Sequence, residues 1–441
     1  MLPAVIIRTR DEYLGPSMAS YKGVMLTYVG IRNILFSLTL SCLLIVYFQY
    51  WKTQRCCDEL YALTFRMEPP PPALVLELRE KTLENTQDLR RTKSSQNKQR
   101  KQTNLMIISQ GRSGSSFIGQ IFNHHPDVFY IYEPLHTLER VDNFDSFIGK
   151  NTLEYNQRAS MILEEIFNCS FRKSPYLDYL SRPGHFRLSS RVLRSPPFCI
   201  REAENTTAKE VFEKQLCPYL EPMLLKQECR KYSVTAMKVL EHRLIGRTLE
   251  SLKPLLEMEG YDNKILYLVR DPRAVISSMY QAGWIASIGE DGQLIPYQPI
   301  SRRFHWYVQR ICHQMETNVK FVKHPPYWSK KRLFLLRYED LITNTENITK
   351  DMFEFIDLGE ATGINEWVYD HMNAQNTTLG GTEETYATKK NASLTLKKWR
   401  LEASQEMVKV VEKHCKTVMD LLGYIQTHGS EALRFSNDDY Q

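Results

Sequence analysis

A short apolar run, Leu105 to Ser109 (LMIIS), passes directly into Gln110-Gly111-Arg112-Ser113-Gly114-Ser115-Ser116 and then into FIGQIF. In that last segment Phe117, Ile118, Ile121 and Phe122 recur at helical spacing. A buried parallel strand, a Gly/Ser turn and a helix start in that order make a phosphate cradle. The small residues let backbone N–H groups converge on an anion, and the helix dipole adds partial positive charge. Ser115 and Ser116 hydroxyls can donate further hydrogen bonds, and Arg112 brings a permanent charge with a planar fork. The loop is not a Walker A sequence, because no Lys occurs between Lys101 and Lys150. That argues against a kinase or NTPase, which needs the Lys and a Mg²⁺ site.

A second apolar run, KILYLV (Lys264 to Val269), leads into RDPRAVISSMY. Arg270 ends this strand, Pro272 suits the first position of a helix, and Ser278 lies eight residues beyond Arg270. Further candidate strands are Val128–Tyr130, Val234–Lys238 and Leu333–Leu336, beside Leu105–Ile108 and Ile265–Val269. Candidate helices include Ser115–Asn123, Pro272–Tyr280, Phe304–Val322 and Ser404–Leu422. These elements predict a three-layer α/β domain with a mainly parallel sheet. The stretch from Asn143 to Tyr232 is expected to be an irregular, disulfide-bearing insertion. Hydrophobic residues are 42% of the 441, and Gly plus Pro are 19 and 20, so a wholly disordered or collagenous chain is excluded.

GRSGSSFIGQIFNHHPDVFYIYEPL paired with LVRDPRAVISS resembles the two donor-binding segments of sulfotransferases that use 3′-phosphoadenylyl sulfate (PAPS). SRVLRSPPFC, LLRYEDL and YATKKNASLTLKKWR extend the resemblance to the Golgi carbohydrate 6-O-sulfotransferases, nearest the keratan galactose and chondroitin branch. It covers roughly Leu105 to Tyr424 and implies a P-loop-like sulfotransferase fold. It also implies that Gln110, Gly111, Arg112, Ser113, Gly114, Ser115 and Ser116 hold the 5′-phosphosulfate. Arg270 and Ser278 would hold the 3′-phosphate, with Asp271, Pro272, Arg273, Ala274, Val275, Ile276 and Ser277 shaping that segment. Trp399 and Arg400 match a late motif near the donor. Cytosolic members carry a Lys in the first loop, where this chain has Arg112.

Sulfuryl transfer needs a base for the attacking hydroxyl and positive charge for the departing phosphate. Glu133, after the apolar run VFYIY, is the expected base at a strand's carboxyl end, kept extended by Pro134. His136 is the alternative. Arg112 joins Glu133 as a catalytic candidate. Between Arg172 and Arg201 seven Lys or Arg stand against one acid, Asp178. Arg187, Arg191 and Arg194 are therefore expected to line a groove for an acidic glycan, or else to belong to a solvated basic insert held by Cys169 and Cys199. No C-x2-C, H-E-x-x-H or EF-hand spacing is present, so no metal is expected.

Ahead of this domain, Asn33 to Trp51 is free of charge and flanked by Arg32 and Lys52. Nineteen residues at about 1.5 Å each reach about 28 Å, close to a bilayer's hydrocarbon thickness. The expected organisation is a cytoplasmic tail (1–32), a signal-anchor (33–51), a stem (52–103), a lumenal sulfotransferase domain (104–425) and a C-terminal tail (426–441). Basic residues before the anchor favour a cytoplasmic N-terminus. Five sequons, Asn168, Asn205, Asn347, Asn376 and Asn391, all follow the anchor, as do eight of nine cysteines. Together these features predict a single-pass type II Golgi protein. The mean hydropathy of −0.41 excludes a polytopic one. Four prolines at 69–72 and the basic run Arg90–Lys101 fit a stiff, then solvated, tether. Cys56 and Cys57 could link two chains, pair internally or remain free thiols. The net charge of +6 favours acidic partners, and a lumenal domain meets no nucleic acid. A glycan-binding protein on a degenerate version of the same fold is the non-enzyme alternative. GlcNAc is the rival acceptor.

Overall fold

In the computed structural model the described residues are 102–141, 153–182, 184–200, 210–211, 214–289, 292–373 and 392–434. The expected cytoplasmic tail, the anchor and the stem up to residue 101 lie outside them, as do Asn205, Asn376 and Asn391, while Gln102 and Thr103 of the expected stem begin the first strand. Five strands form one parallel sheet in the order β2-β3-β1-β4-β7. They are β1 (Gln102–Ser109), β2 (Val128–Tyr132), β3 (Val234–Leu240), β4 (Tyr261–Val269) and β7 (Leu333–Arg337). A separate antiparallel hairpin joins β5 (Ala286–Ile288) to β6 (Leu294–Pro296). All five apolar runs identified in the sequence thus enter one sheet.

Because side chains alternate across a strand, each buried run feeds two cores. Met106 and Ile108 of β1, with Ile265, Tyr267 and Val269 of β4, join one cluster. Leu105, Ile107, Leu266 and Leu268 join the other. The principal helices, in chain order, are α1 (Ser115–His124), α2 (Leu153–Phe167), α3 (His185–Leu188), α4 (Pro272–Gln281), α5 (Arg302–Lys323), α6 (Ala392–Glu402) and α7 (Gln405–Leu422). Phe117, Ile118, Ile121 and Phe122 of α1 pack on one face. Val308 and Met315 of α5 and Val411 and Val418 of α7 pack on the other. The result is the expected three-layer arrangement.

The order of the sheet places the site. From β1 the chain crosses to β2 on one side, while β4 follows on the other. The carboxyl end of β1 is therefore a switch point, where open α/β sheets bind ligands.

The Asn143–Tyr232 stretch is more regular than expected. Among its described residues the longest element is α2, whose Tyr155, Ala159, Ile162, Leu163 and Ile166 make a buried helical stripe. Disulfides join Cys169 to Cys229, Cys199 to Cys217, and Cys312 of α5 to Cys415 of α7. Cys169 and Cys199 therefore anchor two separate bridges. The domain also runs past residue 425. Thr427 N–H donates to the Glu412 carboxylate at 2.8 Å, and the Arg434 guanidinium donates to Trp399 O at 3.3 Å.

Candidate functional site

The loop between β1 and α1 carries two left-handed residues, Arg112 (φ 66°) and Gly114 (φ 95°). Gly114 is the N-cap of α1, and the helix has no acid in its first turn, so its start favours anions. Two glycines are needed for space as well. A Cβ on Gly111 would lie 2.3 Å from the Trp284 ring, and one on Gly114 would lie 2.5 Å from Tyr338. Ser109 Oγ and Ser113 Oγ are buried and make no hydrogen bond among the described residues, while the Gln110 side chain is turned to the buried Glu241 carboxyl. Such groups are costly to leave unsatisfied. Two buried hydroxyls left without partners on a loop that opens a helix fit a phosphosulfate anion, which would supply the missing acceptors.

The second segment meets the first. Arg112 Nε donates to Ser278 Oγ at 3.1 Å, and Arg270 Nη1 donates to the Arg112 carbonyl at 3.1 Å. Arg270 Nη2 donates to Thr395 O of α6 at 2.8 Å, and its guanidinium lies over the Tyr338 ring at 4.8 Å. Arg112, Arg270 and Ser278 thus form one cluster from segments more than 150 residues apart in sequence. The residues between Arg270 and Ser278 do other work. Asp271 caps α4 by accepting from Arg273 N at 2.8 Å, and Pro272 opens the helix. Ala274, Val275, Ile276 and Ser277 are buried. Arg273 is buried between Asp271 (2.8 Å) and Glu412 (2.9 Å) and lies over the Trp399 ring at 4.2 Å. Trp399 is a core residue, 3% exposed, and the Arg400 guanidinium also lies over its ring, at 4.9 Å. Arg273 and Trp399 thus tie α4 to α6 and α7 from inside the core, and both side chains are almost wholly buried.

Beside the loop lies a charged centre with a residue that sequence reasoning missed. Lys238, near the end of β3, donates to Ser116 Oγ at 3.2 Å, to Tyr132 OH at 3.4 Å and to Glu133 Oε1. Tyr132 OH lies 3.2 Å from the same Ser116 Oγ. Arg243 holds Glu133 Oε2 and, at 2.7 Å, Glu139. Burial alone would raise the proton affinity of Glu133. The charges of Lys238 and then Arg243, with their hydrogen bonds, overcome it and hold the carboxyl at about 2. The same pairing raises Lys238 despite its burial. The backbone of Glu133 is left-handed (φ 42°) rather than extended as expected. Pro134 disfavours the right-handed helical region at this position, and the two ion pairs fix what remains. In this arrangement both carboxylate oxygens are committed to cations. Lys238 had a sequence signature, the one charge inside the buried run VTAMKVL.

His136, the alternative base, is 9% exposed; its Nδ1 lies 2.8 Å from Tyr179 OH, and it stacks on Phe186 at 4.1 Å. Burial first and Arg243 second lower it to about 4, so the ring is neutral near pH 7.

The basic stretch is corrected. Arg187 is wholly buried and does not line a groove. Its guanidinium donates to the carbonyls of Ser181 (2.6 Å), Pro218 (2.7 Å), Phe198 (2.8 Å) and Leu193 (3.3 Å). Burial pulls its proton affinity down to about 9. Arg191 closes the end of α1, donating to Asn123 O at 3.0 Å and His125 O at 3.2 Å. Arg194 is half-buried on the turn that follows. Three of these backbone acceptors, Pro218, Phe198 and His125, lie outside helices, where their carbonyls have no partner in a helical ladder. Of the sequons described, Asn347 is exposed on helix Thr345–Phe355 and Asn168 is half-buried beside Cys169.

The fold, the anion loop and its paired Arg–Ser segment together define a class. The chain belongs to the sulfotransferase domain family, whose model matches residues 102–423. Among characterised proteins it is similar to carbohydrate sulfotransferase 1 of Mus musculus, 27% identical over 76% of this chain and 82% of that one. It is also similar to carbohydrate sulfotransferase 3 of Homo sapiens, 28% identical over 75% of this chain and 68% of that one. The sulfotransferase domain of a Synechococcus olefin synthase overlays with a TM-score of 0.35 at 16% identity, covering 73% of this chain and 98% of that one, a distant likeness.

Proposed function

We propose that this protein transfers sulfate from PAPS to the C6 hydroxyl of galactose or N-acetylgalactosamine in a keratan- or chondroitin-type glycan. The observation that carries the reading is the joining of Arg112, Ser278 and Arg270 beside a helix start with buried, unsatisfied donors. Membership of the family supports the sulfate chemistry. The names of the carbohydrate sulfotransferase relatives support a sugar acceptor. In this reading the protein is a single-pass type II Golgi membrane protein with its catalytic domain in the lumen. Five sequons after the apolar segment and three disulfides in the domain support that side of the membrane. A homodimer through Cys56 or Cys57 is part of the same proposal.

Bound PAPS supplies an activated sulfuryl group; the chain supplies position and charge. The amides at the start of α1, Arg112, Ser113 and Ser116 hold the phosphosulfate end, while Arg270 and Ser278 hold the 3′-phosphate, with Arg112 tied to that side through Ser278. Lys238 already touches Ser116 Oγ and is placed to turn toward sulfuryl oxygens. As its ammonium does so, Glu133 Oε1 loses its hydrogen-bonded cation and gains proton affinity. Glu133 then takes the proton of the attacking hydroxyl. A carboxylate held at about 2 is a poor base, so this coupling ties base strength to the presence of donor.

Calorimetry with adenosine 3′,5′-bisphosphate tests the donor site directly. Binding that is weakened by Arg270→Ala and Ser278→Ala supports the reading. A folded protein that does not bind it would favour a glycan-binding protein on a degenerate fold.

A further inference from the structure

Arg187 and Arg191 spend their guanidinium groups on backbone carbonyls. The same insertion, however, places a different surface beside the charged centre. Helix α3 brings His185 and Phe186 onto Tyr132, with ring centroids at 4.9 Å and 5.8 Å. Tyr132 is itself one hydrogen bond from Ser116 and lies under the Lys238 ammonium at 4.5 Å. Phe186 continues the array, stacking on His136 at 4.1 Å and tilting against Tyr179 at 5.7 Å. Beyond Tyr179 the guanidinium of Arg182 lies over its ring at 5.7 Å.

These rings are not hidden in either core. Tyr132, Phe186 and Tyr179 are half-buried and His185 is exposed, so the array has an open side. Nor is it a random apolar patch: it begins at the atom Lys238 and Ser116 share and ends in a cation. Flat rings bind the apolar C–H faces of a pyranose, and their polar edges leave its hydroxyls free. An aromatic array within one ring of the sulfuryl site, with an Arg at its far end, suits a sugar unit followed by an acidic one.

We propose that Tyr132, His185 and Phe186 form the platform on which the acceptor sugar lies, with Arg182 meeting an acidic group of the neighbouring sugar. The platform deepens the proposed sulfotransferase function and rests on it. Its geometry sets the acceptor's reactive hydroxyl over Ser116 and Lys238 while its ring stays on Tyr132 and Phe186.

The test uses full-length protein and three variants. Phe186→Leu keeps apolar volume against His136 but removes the flat face; Phe186→Tyr restores it; His185→Ala opens one side. Acceptor KM, adenosine 3′,5′-bisphosphate affinity and thermal midpoint are measured for each, with a desulfated chondroitin chain as acceptor. Phe186→Leu is expected to raise acceptor KM about tenfold, a change of about 1.4 kcal/mol. Phe186→Tyr should return to within about twofold of the parent, and the donor affinity and midpoint should not move. An acceptor KM unchanged in Phe186→Leu and His185→Ala, in an enzyme that still transfers sulfate, overturns the platform. So does a rise in KM matched by an equal loss of donor affinity or of thermal midpoint, which is the mark of a general structural role. If the parent protein binds no adenosine 3′,5′-bisphosphate and transfers no sulfate, the proposed function falls, and the platform with it.

Discussion

Replacing Glu133 by Gln removes the only carboxylate that Lys238 and Arg243 share, and its consequence can be worked from the ion pairs. The folded state holds Glu133 at about 2, against an ordinary value of 4.5. A difference of roughly 2.5 units corresponds to about 3 kcal/mol at about 1.4 kcal/mol per unit. Because the folded value is depressed, this stability is fully present above pH ~4.5 and is lost as pH falls toward about 2. Arg243 keeps Glu139 as a partner in the variant, but Lys238 is left with hydroxyls alone. Urea unfolding followed by circular dichroism should therefore show Glu133→Gln destabilised by about 3 kcal/mol at pH 7 and by only about 1 kcal/mol at pH 3. In the same variant turnover should be abolished, while affinity for adenosine 3′,5′-bisphosphate stays the same or tightens, since Lys238 is freed for anions. A stability gap equal at the two pH values would refute the ion-pair account. Undiminished kcat would remove Glu133 from the chemistry.

Other residues give independent outcomes. Glu241 is raised to about 7 by burial, against the hydrogen bonds of Tyr267 and Asn318 and the influence of Gln110. A raised carboxyl makes the parent lose up to about 3 kcal/mol as pH rises from about 4.5 through 7. Glu241→Gln should flatten that slope in unfolding experiments. Arg187→Met strands several buried carbonyls at about 1–3 kcal/mol each, so thermal unfolding should shift strongly while acceptor KM, measured at a temperature where the variant is folded, does not. Lys238→Met should lower kcat at least a hundredfold in a sulfate-transfer assay, the scale of losing one charge-stabilising donor. Gly111→Ala drives a methyl into the Trp284 ring and should weaken adenosine 3′,5′-bisphosphate binding in calorimetry.

Much of this framework was legible in the chain itself. The runs LMIIS, VFYIY, VTAMK and ILYLV bury both faces and LFLL, at the sheet edge, is mostly half-buried; apolar continuity marks all five as parallel strands, and each is in the sheet. Helices α4, α5 and α7 begin at Pro or Ser signals and end within a few residues of expectation. Charge was less legible than apolar pattern. Lys238 entered only as the last residue of the candidate strand Val234–Lys238, because nothing local reveals that Glu133, 105 residues earlier, lies beside it. Arg187, Arg191 and Arg194 looked like a basic surface, because sequence cannot distinguish a guanidinium facing water from one serving carbonyls. Trp399 and Arg273 entered as donor-site candidates, and the structure places them one layer deeper. Three cysteine pairs could not be assigned from spacing, since their separations of 60, 18 and 103 residues depend on the tertiary fold.

The central claim is sulfate transfer from PAPS to a sugar hydroxyl, and one measurement reaches it most directly. Full-length protein is incubated with radiolabelled PAPS and a panel of keratan, chondroitin and GlcNAc-terminated acceptors, and the labelled carbon is then mapped. Label at C6 of galactose or N-acetylgalactosamine is the predicted result. Label confined to GlcNAc would replace the acceptor, and transfer to no glycan by protein that does not bind adenosine 3′,5′-bisphosphate would contradict the enzyme itself.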